Sequence, residues 1–444
     1  MTTRILMYAC TALAFAATAS AQQLPPVRPL GPIVKVSTEP LSSVAATRQL
    51  SDGRVLVNDI IAHRVMLFDS TLTTAIVVAD STSATANAYG ARPGGLIPYR
   101  ADTTLFVDPS SLSILVLSPA GKIQRVISAP RPNDIQNLIG GPNGTPGFDE
   151  QGRLVYSARM VMAMPPIGPD GKRPAPVLPD SALIVRVDLA TRKLDTLGTY
   201  RINKPVMTIK RNEDGDITSI NLLGNPLSSV DDWAVEADGS VAIVRGLDYH
   251  VDWLSAGGKW TSSPKMPFDW EHMDDDQKAA FVDSAKAVAQ ARIDSMQAAL
   301  DKGETLPVPP PDASGMGGGG GGRGGAVIGV RVDALGGGGP PPSGPRTPPR
   351  LPPAMFVEPK DLPDYKPPFI AGATRADADG NLWIRTTRIT NGRAIYDIVN
   401  RKGQLIDRVQ LPAFRIIAGF GPGVVYMGVR DSAGVVHLER ARVK

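Results

Sequence analysis

The chain has 444 residues, a formal net charge of +4 at pH 7, 45 glycines, 41 prolines and a single cysteine. Hydrophobic residues make up 42% of it, which is enough to bury a core and excludes a wholly disordered or collagen-like chain. No run of eighteen apolar residues follows the N-terminus, so we expect no transmembrane segment in the mature protein. Like charges do not cluster, and the sequence therefore gives no indication of a nucleic-acid partner.

Residues 1–21 predict a signal peptide. Arg4 supplies the positive start, the stretch from Ile5 to Ala17 is apolar, and Ala19-Ser20-Ala21 is a small-residue cleavage site. The mature protein would then be exported, either to the periplasm or to the outside of the cell. Cys10 lies within this segment, so the mature chain would have no thiol for a disulfide or a zinc site.

Short alternating apolar stretches joined by tight turns recur along the rest of the chain, and each group predicts a small antiparallel sheet. Six groups are marked by one turn residue each, about fifty positions apart except at two longer gaps. These residues are Gly53, Asp102, Gly152, Gly239, Gly380 and Gly423. A repeat of about 40–50 residues is typical of a β-propeller blade. The sequence thus predicts an all-β, six-bladed propeller over residues 34–444, with Ile33–Val36 as a candidate strand to close the ring, after a linker at 22–33.

The two longer gaps contain insertions. In the first, Met160–Pro179 predicts a loop and Val206–Leu223 predicts a hairpin. In the second, a helical insertion at 270–304 contains a predicted helix from Asp274, its N-cap, to Gly303, with an apolar stripe that would pack on a propeller face. Residues 305–361 include a Gly/Pro-rich stretch and predict a disordered segment.

The first unit resembles an NHL repeat. Its residues Asp52–Asp59 read DGRVLVND, and His63–Phe68 read HRVMLF, while the fifth unit shares the first half only, as DADGNLWI at Asp377–Ile384. The arrangement is similar to exported bacterial six-bladed propellers of the NHL and TolB-like type. This resemblance implies the fold, but such propellers include interaction scaffolds, lyases and lactonase-like enzymes, so it implies no single activity.

Polar residues between the second and third strands of three units form a candidate binding site. Asp59 and His63 come from the first unit, Asp108 from the second, and Asp248 and His250 from the fourth. If these connections converge at one mouth of the channel, their carboxylates and imidazoles could hold a divalent cation such as calcium or zinc. The competing interpretation is structural: Asp59 caps its turn and His63 begins the next strand.

Two functions therefore stay open. The first is an exported module that binds an envelope or extracellular protein, a peptide or a glycan without catalysis, and needs no cofactor. The alternative is a metal-dependent hydrolase or lyase, lactonase-like, with its site at the channel mouth. The absence of a nucleophile elbow or another assembled catalytic motif favours the binding module. The sequence does not indicate an oligomeric state.

Overall fold

The computed structural model describes residues 23–82, 88–160, 165–169, 172, 174–215, 217–255, 257–302, 350–351 and 353–444. The predicted signal peptide, with Cys10, lies outside the described residues, as does most of the Gly/Pro-rich segment. Within the described part of the chain, no helix is both long enough and apolar enough to cross a membrane.

The chain forms a six-bladed β-propeller, as the repeat predicts. Each blade is a four-stranded sheet, and the strands of the first three blades follow one another in chain order. Blade one comprises β3 (Ala46–Gln49), β4 (Val55–Asp59), β5 (Arg64–Phe68) and β6 (Ala75–Asp80). Blade two comprises β7 (Gly95–Pro98), β8 (Thr104–Asp108), β9 (Ser113–Leu117) and β10 (Ile123–Ser128). Blade three comprises β11 (Gly147–Phe148), β12 (Leu154–Ser157), β13 (Ser181–Val187) and β14 (Leu194–Arg201).

The last three blades complete the ring. Blade four comprises β17 (Asp232–Val235), β18 (Val241–Arg245), β19 (His250–Leu254) and β20 (Trp260–Ser262). Blade five comprises β21 (Phe369–Ala376), β22 (Leu382–Thr390), β23 (Arg393–Val399) and β24 (Leu405–Gln410). Blade six comprises β25 (Ile416–Gly421), β26 (Val424–Arg430), β27 (Val436–Arg442) and β2 (Ile33–Val36). The first-named strands are innermost: β25 contacts β3, β3 contacts β7, β7 contacts β11, β11 contacts β17, and β17 contacts β21.

Among the described residues, six hydrophobic clusters lie between the blades, one between each pair of neighbours. In β4, Val55 and Val57 pack toward blade six, whereas Leu56 between them packs toward blade two. Successive side chains of a strand point to opposite sides, so a blade covered on both sides needs apolar residues at consecutive positions. The fully buried run Val55–Val57 meets that requirement.

The N-terminal segment closes the ring. β2 pairs antiparallel with β27, which confirms the predicted role of Ile33–Val36 as the missing strand of the last blade. The linker predicted at 22–33 is wrong in part, because β1 (Val27–Pro29) adds to the outer edge of blade five, parallel to β24. Arg28 holds it there through an ion pair of 2.6 Å with Asp407. A three-residue strand has no alternation that a sequence pattern could detect.

The predicted insertions are present. The hairpin consists of β15 (Val206–Arg211) and β16 (Ile217–Leu223), and the helix, α1, spans Asp275–Asp301. Asp274 is the N-cap, and its carboxylate accepts a 2.8 Å hydrogen bond from the Gln277 amide, as the capping box predicts. The predicted stop, Gly303, lies outside the described residues.

The packing of α1 differs from the prediction that it lies on a propeller face. Val282 and Met273 pack with Leu227 of the segment between blades three and four, and with Val357 and Leu362. The predicted disorder over 305–361 is therefore also wrong at its C-terminal end, where Val357 is buried and Pro359–Asp361 form a 3-10 turn. Burial of these apolar side chains against α1 gives that end of the segment a fixed position.

Candidate functional site

The two faces of the propeller differ in the length of their connections. One face carries the turns between the first and second and between the third and fourth strands, and none of these exceeds six residues. The other carries the turns between the second and third strands and the segments that join one blade to the next. It includes residues 158–180, 202–231 and 263–368. We call it the insertion face, because all three insertions emerge there. All five predicted site residues lie on this face.

Asp59 ends β4 and is completely buried. Its carboxylate accepts hydrogen bonds from the amides of Ser42 and Ser43 at 2.9 and 2.8 Å, and from the Ser43 hydroxyl at 3.0 Å. It also forms an ion pair of 3.1 Å with Arg64. These bonds fix the segment that enters blade one against the turn of the same blade, so both oxygens already have protein partners.

His63 is the last residue of the turn before β5 of blade one, with a positive φ of 49°. Its Nδ1 lies 3.0 Å from the carbonyl oxygen of Gly90, and its ring meets Tyr89 edge to face at 5.4 Å. The buried Tyr89 hydroxyl donates to Asn58 at 3.0 Å, and Asn58 donates to the Gly94 carbonyl at 2.9 Å. His63 thus belongs to a polar network that joins blade one to the segment entering blade two.

The Asp108 side chain stabilises the turn that follows it in the chain. Its oxygens accept from the Ser110 amide at 3.0 Å and the Ser111 hydroxyl at 2.6 Å. The position is equivalent to that of Asp59, since each aspartate ends the second strand of its blade. Short side-chain to backbone bonds of this kind stabilise tight turns.

Asp248 and His250 are in contact, and they belong to a larger charged chain on blade four. His250 Nδ1 lies 2.7 Å from Asp248, and its Nε2 lies 3.3 Å from Asp252. Arg245 lies between Asp252 and Asp231 and forms an ion pair of 2.7 Å with each of them. Burial acts to raise the pKa of Asp248, but the hydrogen bonds and charges of His250 and Lys265 together outweigh it, and the pKa lies below its usual value. With a carboxylate at each ring nitrogen, His250 has no nitrogen left for a proton transfer to substrate.

The five predicted residues are thus divided between separate hydrogen-bond networks on blades one, two and four. Within the described residues, no group of three or more His, Cys, Asp or Glu side chains is placed to hold a metal ion. The cation site stays a prediction, and each of the three aspartates has a structural partner.

A crevice between blades six and one was not predicted. Its walls are the segment entering blade one, at Pro40–Val44, and the turns that carry Ile61 and Arg430. Phe414, on the segment entering blade six, stands at its edge with 72% of its surface exposed and a positive φ of 59°. The sequence could not bring Ile61 and Phe414 together, because they become neighbours only when the ring closes.

Two buried acidic residues that were not predicted lie at the junction between blades four and five. Asp232 is completely buried at the start of β17, and burial raises its pKa to about 7. Glu236, just past the end of the same strand, is 3% exposed, and burial raises its pKa to about 7 as well. Among the described residues, Asp232 Oδ1 and both Glu236 carboxylate oxygens have no hydrogen-bond partner. Ionised carboxyls are costly in such places, so these groups favour the neutral form.

No family model and no curated protein matches this sequence. Solved structures resemble it at low identity. A catalytically inactive virginiamycin B lyase from Staphylococcus aureus with quinupristin is 10% identical, with a TM-score of 0.36 over 91% of this chain and 98% of that one. A Bacteroides fragilis protein described as exported is 8% identical, with a TM-score of 0.42 over 96% and 98%. A gluconolactonase from Xanthomonas campestris is 14% identical, with a TM-score of 0.24 over 55% and 91%. At these identities the likeness concerns the fold alone.

Proposed function

We propose that this protein is an exported binding module that recognises a polypeptide through the insertion face, without catalysis. One observation carries the proposal: the insertions, the long entry segments and the crevice all occur on one face, while no connection on the other exceeds six residues. Binding residues are found disproportionately on loops that a rigid scaffold positions. Exposed apolar side chains on this face include Leu247, Trp270 and Phe414, and aromatic side chains are enriched in protein interfaces.

The hydrogen bonds of the predicted site support this choice over the alternative hydrolase or lyase. Asp59 and Asp108 have their oxygens in use, and His250 has a carboxylate at each ring nitrogen. A general base must be free to reach a substrate proton, and a metal ligand must have a free lone pair. The residues that were candidates for catalysis are therefore better placed to hold the turns in position.

The test is a selection of displayed random peptides on the immobilised mature chain, followed by affinity measurements with two triple variants. One variant, Leu247→Ser, Trp270→Ser and Phe414→Ser, removes exposed apolar groups from the insertion face. The other, Ile123→Ser, Trp260→Ser and Ile406→Ser, removes exposed apolar groups that follow turns of the opposite face. We expect the selected peptides to lose at least tenfold in affinity for the first variant and to bind the second normally.

The reverse pattern, or a selection that enriches no peptide, would contradict the proposal. Turnover of an ester or lactone by the purified chain, dependent on calcium or zinc and lost in Asp59→Ala, would instead support the hydrolase. Because Asp59 also anchors the entry to blade one, circular dichroism must show that the variant is still folded at the temperature of the assay.

A further inference from the structure

The crevice between blades six and one has two connected parts. A partly open recess of about 30 Å³ and a wider, more open groove share Ser42, Ile61 and Arg430 in their walls. The recess is lined chiefly by aliphatic side chains, among them Val44, Ile416 and Val436. Its volume suits a methyl group or a single small side-chain tip rather than a ring. An extended segment could lie in the groove and place one apolar group in the recess.

The charged side chains that line the crevice are both positive. Arg64 and Arg430 are the charged side chains among the residues that line it. Arg64 pairs with Asp59, which is buried behind the wall, and donates a 2.8 Å hydrogen bond to the Pro40 carbonyl. Arg430 donates a 2.5 Å hydrogen bond to the Gly434 carbonyl and, in the part of the chain that the structure describes, forms no ion pair. The neighbouring Asp431 accepts bonds from its own turn and from His437.

The rim of the crevice is apolar and open to solvent. Phe414 is 72% exposed and Ile61 is 39% exposed, and both line the recess. Covering such side chains with a ligand removes apolar surface from water, which favours binding. A guanidinium beside exposed apolar groups is complementary to a carboxylate that stands next to an apolar side chain.

We propose that the crevice binds an extended segment of a partner polypeptide that presents an Asp or Glu side chain to Arg430, next to an aliphatic or aromatic side chain that covers Phe414. The inference rests on the proposed function and names the chemistry of the partner. The entry segment borders the same groove through Pro40, Leu41 and Ser42. The charge of Arg430 sets which residue is recognised, and the apolar rim supplies contact area.

The probe is a set of three fluorescent nonapeptide pools, measured by polarisation against the mature chain. The first pool has Glu next to Leu or Phe at its centre and an amidated end, and the second has Gln in place of Glu. The third has the Gln centre and a free C-terminal carboxylate. We expect the Glu pool to bind at least tenfold more tightly than the other two.

The variants Arg430→Gln and Phe414→Ser should each weaken binding of the Glu pool at least fivefold. Arg393→Gln and Ile406→Ser are the matched controls, since Arg393 is exposed on the insertion face at blade five and Ile406 is exposed after a turn of the opposite face. Equal binding of the Glu and Gln pools, preference for the free carboxylate, or equal loss in the controls would overturn the proposal. If peptides from the displayed library lose affinity in Leu247→Ser and not in Phe414→Ser, the binding module stands and the crevice is the wrong site. If no peptide of any kind binds, both proposals fail.

Discussion

The Tyr249 hydroxyl donates a 2.7 Å hydrogen bond to Asp397 across the junction between blades four and five. Both residues are fully buried, and Arg408 donates to the other oxygen of Asp397 at 3.2 Å. Burial raises the pKa of Asp397 to about 6, against the opposing effects of Tyr249 and Arg408. The long insertion 263–368 interrupts the chain between these two blades, so side-chain contacts of this kind must hold them together.

Replacing Tyr249 with phenylalanine should therefore destabilise the propeller. The change leaves a buried carboxyl with one partner fewer, which costs about 1–3 kcal/mol. Urea unfolding followed by tryptophan fluorescence would measure it. Tyr396→Phe is the control, because that buried tyrosine in the same blade as Asp397 has no hydroxyl hydrogen bond among the described residues. Equal losses in the two variants would show that the Tyr249–Asp397 bond does not stabilise the junction.

The turn at Gly239 gives a second prediction. Gly239 has φ of +84°, and a Cβ there would lie 2.3 Å from the Glu150 backbone nitrogen of blade three. Gly258 has nearly the same φ, +81°, but nothing lies within 4 Å of a Cβ at that position. Gly258→Ala should cost about 1 kcal/mol through backbone strain alone. Gly239→Ala adds a clash with neighbouring backbone and should cost at least about 3 kcal/mol.

Chemical unfolding of the two alanine variants side by side checks this prediction. A difference in the free energy of unfolding below about 1 kcal/mol would mean that blades three and four move apart easily. That result would contradict the close approach that the structure shows between the Gly239 turn and Asp149.

The repeat was predictable because blade packing imposes it on the sequence. Val55, Leu56 and Val57 must all be apolar since each faces a neighbouring blade, and the turn before them needs Gly53 because it requires a positive φ. The order of the strands within a blade follows from the same turns. The closing strand could be proposed because the sixth unit has three strands of its own.

The candidate site was less predictable. Asp248 and His250 are two residues apart, and their contact follows from local geometry. Ile61 and Phe414 come from opposite ends of the chain, and no spacing in the sequence predicts that ring closure places them on one crevice. Asp59 and Asp108 have the residue type of a metal ligand, but their oxygens accept hydrogen bonds from backbone amides and serine hydroxyls, and Asp59 also pairs with Arg64. Backbone donors leave no trace in a sequence.

The N-terminal segment allows a prediction about ring closure. A chain that begins at Leu30 lacks β1 and the Arg28–Asp407 ion pair, which is partly exposed and contributes at most about 1 kcal/mol. A chain that begins at Ser37 also lacks β2 and leaves the edge of β27 unpaired. We expect the first truncation to melt within a few degrees of a chain that begins at Gln22. The second should lose at least about 2 kcal/mol and aggregate at lower concentration.

Calorimetry and light scattering of the two truncated chains distinguish these outcomes. Equal melting temperatures for both would show that β2 is dispensable and that the ring is closed by packing of blade six on blade one alone. A large loss of stability in the chain that begins at Leu30 would instead show that β1 closes the ring.

The buried acid Asp232 predicts how stability changes with pH. Its pKa is raised to about 7 in the folded protein, above the usual value near 4. The folded state therefore holds its proton more tightly than the unfolded state, and stability falls as pH rises from about 4 to about 7. An asparagine side chain cannot ionise, so the variant Asp232→Asn is free of this loss. The free energy of unfolding of this variant, relative to the wild type, should therefore rise by about 2–3 kcal/mol from pH 5 to pH 8.

The measurement is the free energy of unfolding of both proteins at pH 5, 6, 7 and 8. Their difference cancels the contributions of Glu236 and Asp397, which are present in both chains. Asp283→Asn, on the exposed side of α1, is the control and should show no relative gain. The Thr374 amide donates to Asp232 at 2.7 Å, and an asparagine oxygen can accept that bond. A pH-independent difference would mean that Asp232 is ionised in the folded protein, with a positive group or a bound cation compensating its charge.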